Sequence, residues 1–393
     1  MKIDTVDFFY LSMPQVTKEG DGSQDALLVR VSAGGGHVGW GECEASPLVS
    51  IAAFVCPISH GACRPVGDSV LGQELDGPAD IARIAAQIDY DSMDLLQAPH
   101  IWSGVEIALW DLLGQVRGEP VWRLLGYREA FRKNPYASQL FGDTPQETLQ
   151  RAQRARAEQF RAVKFGWGPI GKSDLKSDID QFMAAREGLG EDGILLIDVG
   201  QIFGEDVDAA AARLPALERV GALWIEEPFH TDALDAYGAL ASRSPKVRLA
   251  GGEGAHNFHM ARHLIDYGKV GYIQIDCGRI GGIGVAKKVA DYAARKQVLF
   301  VNHTFTSHLA LSASLQPYAG MPTHEICEFP FASKPLARAF TTNHLDRDRE
   351  GYVCVPDAPG LGIAIDARGA RQYLVDVEIK AKGRVLFVST DQF

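Results

Sequence analysis

The sequence predicts an α/β fold in which a barrel of parallel strands and connecting helices follows an N-terminal α+β domain. The first observation is the stretch 223–228, where an apolar run ends in two glutamates and a proline, the pattern of a buried strand at its carboxyl end. The second is recurrence: 28 residues separate Asp198 from Glu226, and 27 separate Glu226 from Glu253. A further 23 residues lead to Asp276. Each interval holds one strand, one helix and two loops, and this repetition predicts parallel strands with right-handed crossovers.

The first 125 residues show a different pattern. Alternating apolar residues predict strands at 3–11, 26–33 and 38–41, with three consecutive glycines turning the chain between the last two. Ser103 and Glu106 have the spacing of a capping box and precede apolar residues at helical spacing, so we predict that a helix begins there. Antiparallel strands followed by helices predict an α+β domain.

The barrel elements begin in the next segment. A strand at 136–138 precedes a helix at 144–160, for which Thr144 supplies the N-cap and Glu147 the matching capping-box acid. A second strand follows at 162–165. Polar side chains then stand at or just beyond the later strand ends: Asp198, Glu226, Glu253, Asp276, His303 and Glu328.

The composition is that of an ordinary globular protein of 393 residues, with a formal net charge of -11 from 39 basic and 50 acidic side chains. An acidic surface argues against nucleic acid and anionic membranes as partners. A small anionic substrate is still compatible with this charge, because a metal ion and a lysine can reverse the electric field inside a cleft.

Targeting and redox features predict a cytoplasmic protein. Residues 1–13 carry Asp4 and Asp7 where a signal peptide has an unbroken apolar core, and no later apolar run is long enough to span a bilayer. The six cysteines are scattered without metal-type spacing, which suits reduced thiols.

The strand-end acids predict a metal site. In a closed barrel of such units the carboxyl ends of the strands converge on one face, where the active site lies. Asp198, Glu226 and Glu253 would therefore meet, and carboxylates held that close raise one another's pKa or require a cation. A single strand-end acid is more often a helix cap or the partner of a lysine, but three at this repeat predict a ligand set for a hard divalent metal. Ligation by oxygen alone favours Mg²⁺.

Several motifs and their order resemble the enolase superfamily, and specifically its mandelate racemase subgroup. The motifs are Trp-Ile-Glu-Glu-Pro at 224–228, Gly-Gly-Glu at 251–253, Asp-Cys-Gly-Arg-Ile-Gly-Gly at 276–282 and Asn-His-Thr-Phe at 302–305. The resemblance covers nearly the whole chain, and order and spacing together make it specific. It implies a modified TIM barrel, (β/α)7β, with an N-terminal α+β capping domain.

The resemblance also implies a domain organisation. The capping domain would comprise residues 1–125, the barrel residues 126–345, and residues 346–393 would return to the capping domain. In the family, loops of the capping domain close over the barrel mouth and select the substrate, and the matching positions are near 14–24 and 44–57. A homo-oligomer is expected, because relatives often form symmetric assemblies.

The resemblance assigns roles to four further residues. Removing a proton next to a carboxylate requires a base, and His303 at a strand end can accept one near neutral pH. Asp276, one strand earlier, could accept the other imidazole N–H, and the pair matches the His-Asp dyad of the subgroup. Lys164 matches the lysine that binds the substrate carboxylate, and Glu328 matches the acid that hydrogen-bonds it.

Two departures from the subgroup pattern affect this expectation. Gly166 stands where relatives carry a second lysine, a base opposite the dyad, and its presence argues against a two-base mechanism. Gly200 stands where relatives usually carry an asparagine, so that a hydrogen bond next to Asp198 is either missing or supplied by Gln201.

These residues predict a Mg²⁺-dependent dehydratase, a hydro-lyase of carbohydrate acid catabolism that acts on a small acid sugar, either an aldonate or an aldarate. It would remove the proton next to the carboxylate, stabilise the enediolate with the metal and expel the 3-hydroxyl. The alternative is a racemase, epimerase or lactone cycloisomerase of the same superfamily. A barrel that binds a sugar acid without turnover is a third possibility, which the base disfavours because a pure binder does not need one.

Overall fold

The computed structural model describes residues 1–44, 46–331 and 333–393. An antiparallel sheet opens the chain, with its strands side by side in sequence order: β1 (Ile3–Ser12), β2 (Asp25–Ala33) and β3 (His37–Cys43). The helices that follow are α1 (Pro47–Val55), α2 (Val66–Val70), α3 (Pro78–Asp91), α4 (Ala98–Arg117) and α5 (Val121–Leu124). This confirms the α+β arrangement predicted for the start of the chain.

A parallel sheet forms the barrel. Its strands, eight in the described part of the chain, are β4 (Asn134–Leu140), β5 (Ala162–Gly166), β6 (Ile194–Asp198), β7 (Ala222–Glu226), β8 (Arg248–Gly251), β9 (Tyr272–Asp276), β10 (Leu299–His303) and β11 (Ile326–Pro330). Their order in the sheet is β10-β9-β8-β7-β6-β5-β4-β11, so that sequence neighbours are spatial neighbours and β11 returns to β4. The predicted (β/α)7β barrel is confirmed.

Helices connect the barrel strands, as right-handed crossovers between parallel strands require. They are α6 (Pro145–Ala157), α7 (Leu175–Leu189), α8 (Val207–Ala211), α9 (Leu214–Arg219), α10 (Leu234–Arg243), α11 (Phe258–Asp266), α12 (Ile283–Arg295) and α13 (His308–Leu315). After the barrel come α14 (Leu336–Ala339), α15 (Ala367–Arg371) and the hairpin β12 (Glu378–Ala381) and β13 (Arg384–Val388). Short 3-10 turns lie at Gly22–Gln24 and Gln316–Tyr318.

The predicted helix start at Ser103 is wrong. α4 begins earlier, at Ala98, and Ser103 and Glu106 lie buried within it. Their side chains accept backbone N–H groups at the start of α12: Gly281 N–H donates to Ser103 Oγ at 2.8 Å, and Ile283 N–H donates to Glu106 Oε2 at 2.7 Å. The two residues therefore cap a barrel helix, where the first N–H groups have no intrahelical partner.

Close packing of α4 on β3 positions the acidic end of β3 at the barrel. A Cβ at Gly39 or Gly41 would lie 2.2 Å from a carbonyl oxygen of α4, so only glycine permits this approach. Glu42 then accepts a hydrogen bond from Ser307 Oγ, the N-cap of α13. Glu44, the first residue after β3, reaches the barrel mouth.

The C-terminal segment runs back along the N-terminal sheet. The Val375 N–H donates to the Tyr10 carbonyl at 2.8 Å, and the Ser12 N–H donates to the Tyr373 carbonyl at 2.8 Å. The ring of Phe393 stacks on that of Phe9 with 4.2 Å between centroids. The domain boundaries at 125 and 345 stay a prediction.

A side chain joins β10 to β11, the two ends of the strand order. Asn302 Oδ1 accepts the Glu328 N–H at 2.9 Å, and Asn302 Nδ2 donates to the Glu328 carbonyl at 3.3 Å. Tyr318 Oη donates to the same Oδ1 at 2.8 Å, and Nδ2 donates to Ser314 Oγ at 3.0 Å. Both Oδ1 and Nδ2 of the buried Asn302 amide thus make two hydrogen bonds each at the junction of β10 and β11.

An apolar layer fills the barrel beneath the strand ends and supports the side chains above it. Its buried members are Tyr136, Ala162, Leu196, Trp224, Ala250, Tyr272 and Val301. Trp224 also donates its indole N–H to Glu226 Oε2 at 3.1 Å, which ties the layer to the strand-end acids. Among the residues described, no helix combines the length and apolar character needed to cross a membrane.

Candidate active site

The residues predicted from the strand ends lie at one face of the barrel. The strand register puts Asp198 beside Glu226 on β6 and β7, and His303 beside Asp276 on β10 and β9. Glu253 follows two residues after the end of β8. This placement is a consequence of parallel pairing, because the carboxyl ends of all eight strands meet at the same rim.

Lys164 is the cation at the centre of the acidic groups. Its Nζ lies 2.7 Å from Glu226 Oε1, 2.9 Å from Glu328 Oε1 and 3.8 Å from Asp198 Oδ2. Burial alone would lower the pKa of the Lys164 ammonium, but Glu226 and Glu328 outweigh burial and raise it well above its ordinary value. Lys164 is therefore a permanent positive charge at physiological pH.

His303 and Asp276 form the predicted pair. His303 Nδ1 lies 2.7 Å from Asp276 Oδ2, while Asp276 Oδ1 accepts the Gly278 N–H at 2.6 Å. The other imidazole nitrogen, Nε2, lies 3.1 Å from Glu253 Oε2. Burial would lower the pKa of His303, but the charges of Glu253 and Glu328 and the bond to Asp276 raise it to about 10. Asp276 holds the ring so that Nε2 points into the site.

The pKa values of the three acids predicted as metal ligands are shifted in different directions. Burial raises the pKa of Asp198 to about 7 and that of Glu226 to about 8, although Lys164 opposes both shifts. Burial also raises the pKa of Glu253, but His303 and a neighbouring guanidinium outweigh it and bring the value to about 2. Asp198 and Glu226 are thus easier to protonate than ordinary carboxyl groups, because their surroundings do not fully stabilise the carboxylate, whereas Glu253 is stabilised as a carboxylate by its cationic partners.

These acids fit a hard divalent cation in chemistry and in position. They offer only carboxylate oxygens, from the ends of three adjacent strands, and the raised pKa values indicate that one lysine does not neutralise them. Across the described ranges no three His, Cys, Asp or Glu side chains are gathered in a ready metal-binding arrangement. The oxygens turn instead toward Lys164 and His303, so a cation would compete with these two side chains.

Glu328 is fully buried beside Lys164. Ser138 Oγ donates to its Oε1 at 2.7 Å, and the Thr304 N–H donates to its Oε2 at 2.7 Å. Both carboxylate oxygens therefore have partners from neighbouring strands. The arrangement fixes Glu328 next to the group that we expect to bind a substrate carboxylate.

Arg279 and Glu44 form an ion pair that sequence analysis missed. Arg279 Nε lies 2.5 Å from Glu44 Oε2, and its Nη2 lies 2.8 Å from Oε1. Its Nη1 also reaches Glu253 Oε1 at 3.3 Å. The position of Arg279 in the motif that starts at Asp276 was the available signal, whereas Glu44 comes from the end of β3 and no local pattern connects the two.

A side chain at Gly166 would crowd Asp198. A Cβ there would lie 2.8 Å from Asp198 Oδ2. The next residue, Trp167, has a φ of 56°, which is unusual for a bulky residue. Its half-exposed indole contacts Gly20 and Gly200, which ties the region around Gly166 to the loop after β6 and to the loop between β1 and β2. Sequence reasoning did not identify Trp167.

The hydrogen bond beside Asp198 comes from the main chain. The Gly200 N–H donates to Asp198 Oδ1 at 2.9 Å. Gln201, considered for this role from the sequence, donates instead to Glu227 Oε2 at 2.8 Å. The hydrogen bond beside Asp198 is therefore present although position 200 has no side chain.

A cavity of about 280 Å³ opens above these side chains. Its lining combines barrel residues with residues 19–22, from the predicted loop near 14–24, and with Glu44, from the predicted loop near 44–57. Ala45, also within the second predicted loop, lies outside the described residues. The cavity is of a size for a small ligand.

The family of the protein follows from comparison with known proteins. Residues 147–369 match the family described as Enolase C-terminal domain-like, and residues 11–126 match the Mandelate racemase / muconate lactonizing enzyme, N-terminal domain. The first match covers more than half of the chain. The protein therefore belongs to the mandelate racemase subgroup of the enolase superfamily, as its motifs predicted.

Related proteins act on acid sugars. The D-galactarolactone cycloisomerase of Agrobacterium fabrum is 30% identical over 357 residues, which are 86% of this chain and 89% of that protein. The D-galactonate dehydratase of Klebsiella pneumoniae is 28% identical over 355 residues, 86% of this chain and 88% of that protein. Both covered shares are high, so the similarity extends over both parts of the fold.

Solved structures agree with this assignment. A predicted mandelate racemase from Rhodobacter sphaeroides superposes with a TM-score of 0.95 and 65% identity, covering 99% of each chain. A racemase from Streptomyces coelicolor A3(2), solved with bound magnesium, has a TM-score of 0.81 and 25% identity over 95% of this chain and 100% of that one. These comparisons identify an enzyme of the enolase superfamily.

Proposed function

We propose that this protein is a Mg²⁺-dependent dehydratase of an acid sugar. The observation that carries the proposal is that only one base faces the reacting carbon: His303 with Asp276 provides it, and Gly166, at the position of the second base in relatives, has no side chain to titrate. Epimerisation needs an acid or base on each face of the reacting carbon, whereas elimination needs only one. The dehydratase names among the relatives support the same reaction class.

Asp198, Glu226 and Glu253 would hold the metal ion, which supplies Lewis-acid stabilisation of negative charge on the substrate carboxylate. Lys164 binds that carboxylate through its ammonium group, which is permanently charged. Glu328 accompanies it, because it is fixed 2.9 Å from Lys164 Nζ by Ser138 and Thr304. These groups favour the transition state because the carboxylate gains charge as the proton leaves.

The proton path uses His303. His303 must be neutral to act as a base, and release of Nε2 from Glu253, whose charge helps to raise the pKa of the imidazole to about 10, would provide this form. Neutral Nε2 takes the proton from C2 while Nδ1 stays bound to Asp276, and the electron pair of the C–H bond moves into the carboxylate. The bond from C3 to its hydroxyl then breaks, and the imidazolium returns the proton to that hydroxyl, which leaves as water. The remaining enol tautomerises to a 2-keto acid. General acid-base catalysis of this kind contributes roughly 10²- to 10⁴-fold.

A lactone cycloisomerase is the second candidate. The cycloisomerase relative, 30% identical over 86% of this chain, favours it. One base suffices there too, because the group expelled from the carbon next to the anion is the ring oxygen, which stays attached to the product. The two reactions differ in mass balance: the dehydratase loses one water, and the cycloisomerase loses nothing.

The test is a screen of stereoisomeric aldonates, aldarates and their lactones with Mg²⁺, followed by proton NMR in D₂O and mass spectrometry. We expect a 2-keto product that has lost water, formed from one C2 configuration only. His303→Asn should abolish both turnover and C2 deuterium exchange. His37→Asn, at an exposed position on β3, is the matched control and should retain both.

Two outcomes would contradict the dehydratase. Conversion of one C2 epimer into the other without a keto product would establish an epimerase. Consumption of a lactone with unchanged mass would establish the cycloisomerase.

A further inference from the structure

The loop between β1 and β2 contributes carboxylates to the cavity. We define the loop wall as Glu19, Gly20, Asp21 and Gly22, all of which line the cavity. A Cβ at Gly20 would be 3.2 Å from Trp167 Cδ2, and one at Gly22 would be 3.3 Å from Glu44 Oε1. The loop wall therefore lies directly against the other walls of the cavity.

Internal hydrogen bonds hold the loop wall in place. The side chain of Gln24 accepts the Thr17 N–H at 2.7 Å and donates to the Asp21 carbonyl at 3.2 Å. Asp21 Oδ1 accepts from the Ser23 N–H at 2.9 Å and from Ser23 Oγ at 2.5 Å. Asp21 is thus oriented by its neighbours, and its side chain is only 8% exposed.

The loop wall has more negative than positive charge. Lys334 Nζ lies 3.1 Å from Glu19 Oε2 and 3.6 Å from Asp21 Oδ2, so that one ammonium serves two carboxylates. Among the described residues that line the cavity, the cationic side chains are Lys164, Arg279 and His303, and each is paired with acids at the strand ends. No cation lining the described cavity is left over for a second carboxylate of a substrate.

A neighbouring hollow of about 330 Å³ contains the basic residues Arg151, Arg154 and Lys334, none of which lines the cavity itself. Arg151 Nη1 donates to the carbonyls of Leu140 and Phe141 at 2.9 and 3.0 Å. Arg154 lies 3.2 Å from Glu158 and is 67% exposed. Because these basic side chains lie outside the cavity lining, Glu19 and Asp21 are the charged groups that the loop wall presents to the cavity.

We propose that the loop wall selects sugar acids with a single carboxylate and an uncharged, hydroxylated tail, that is, aldonates rather than aldarates. The inference rests on the proposed function, in which Lys164 receives the reacting carboxylate. Carboxylates accept hydrogen bonds from hydroxyl groups, whereas a second carboxylate beside Glu19 and Asp21 would meet like charge without a free cation. Trp167 completes this end of the cavity with an apolar face.

The test compares an aldonate with the aldarate of identical stereochemistry. We expect wild-type kcat/KM to favour the aldonate by at least about tenfold. Glu19→Gln and Asp21→Asn keep the shape of each side chain and remove its charge, so each should raise kcat/KM for the aldarate by about tenfold and lower that for the aldonate, whose hydroxyl groups lose a charged acceptor. Glu187→Gln, on the exposed surface of α7, is the control and should change neither.

Binding measurements distinguish a failure of this proposal from a failure of the proposed dehydratase reaction. Calorimetric titration of His303→Asn with the same two sugars and Mg²⁺ should give the tighter Kd for the aldonate. If no acid sugar is turned over but the aldonate binds more tightly, the proposed reaction fails and the loop wall assignment stands. Equal or tighter binding of the aldarate overturns the assignment, as would a wild-type preference for the aldarate that Arg151→Gln abolishes.

Discussion

Glu106 of α4 accepts the N–H of Ile283, the first residue of α12, at 2.7 Å, and its other oxygen accepts the Trp110 indole N–H at 2.7 Å. Burial raises the pKa of Glu106 to about 7, although the donors around it oppose the shift. The carboxyl group is therefore easier to protonate in the folded protein than in the unfolded chain, where its pKa is about 4.3.

This difference predicts a pH dependence of stability. The folded state binds more protons between about pH 4.3 and pH 7, so the contribution of Glu106 is complete below that range and is lost as the pH rises through about 7. The loss amounts to roughly 4 kcal/mol at most. Urea unfolding from pH 5 to pH 8 should show a weaker pH dependence for Glu106→Gln than for the wild type, with Glu187→Gln unchanged. Equal pH dependence of the free energy of unfolding in all three proteins would contradict this prediction.

The hydrogen bonds that Asn302 makes between β10 and β11 predict that Asn302→Ala lowers the free energy of unfolding considerably. The change leaves the Glu328 N–H without its buried acceptor and leaves the Tyr318 hydroxyl only the Ile326 carbonyl, at 3.3 Å, so we expect a loss of about 3 kcal/mol in the free energy of unfolding. Tyr318→Phe removes one bond at the same junction and should cost about 1 kcal/mol. Denaturant titration gives both values, and similar costs for the two variants would show that the junction does not depend on the amide.

The proposed metal ligands predict that Asp198→Asn weakens Mg²⁺ binding without unfolding the protein. We expect an affinity loss above about 100-fold, beyond what loss of an outer partner costs. Stability without metal should be equal or higher, because one of several like charges is removed. Asp192→Asn, at an exposed position, should bind Mg²⁺ normally in calorimetric titration. Undiminished Mg²⁺ affinity in Asp198→Asn would remove it from the ligand set.

Lys164→Met should raise KM and lower kcat together, because the ammonium contacts a carboxylate that gains charge in the transition state. The variant also leaves Glu226 and Glu328 without their buried cation, so circular dichroism must accompany the kinetics. Lys176→Met removes a 78% exposed lysine and should leave both constants unchanged. Normal kinetics of a folded Lys164→Met would show that the substrate carboxylate binds elsewhere.

Gly166→Ala tests the space beside Asp198. Its Cβ would approach Asp198 Oδ2 to 2.8 Å, and we expect the displaced carboxylate to bind Mg²⁺ about tenfold more weakly. Gly61→Ala, where nothing lies within 4 Å, should bind normally in the same titration. Full affinity in Gly166→Ala would show that Asp198 can move freely, and that steric exclusion does not explain the glycine.

The strand-end residues could be predicted from the sequence because parallel pairing determines where they lie. Once Asp198, Glu226 and Asp276 end strands of the same parallel barrel, the register brings them to one rim whatever the loops do. The start of α6 could also be predicted, because its cap is local. Thr144 Oγ1 accepts the N–H of Glu147, three residues further along the chain, at 3.3 Å. Local chemistry and a repeating topology were sufficient for both.

Contacts between distant segments could not be predicted in this way. Ser103 and Glu106 have the spacing of a local cap, and nothing in that spacing reveals that their partners are on α12. The pairing of Arg279 with Glu44 depends on how the N-terminal sheet lies over the barrel. Trp167 was missed because its left-handed backbone and its contact with Gly20 leave no periodic pattern.

The register of the barrel strands also restricts how this protein can change during evolution. Side chains alternate between the two faces of a strand, so inserting one residue before Asp198 or Glu226 would turn that carboxylate toward the surrounding helices. The loop between β1 and β2 has no such constraint, since neither of its neighbours is a barrel strand. A library that randomises residues 14–22 should therefore yield variants with new substrate ranges that keep the proposed proton abstraction.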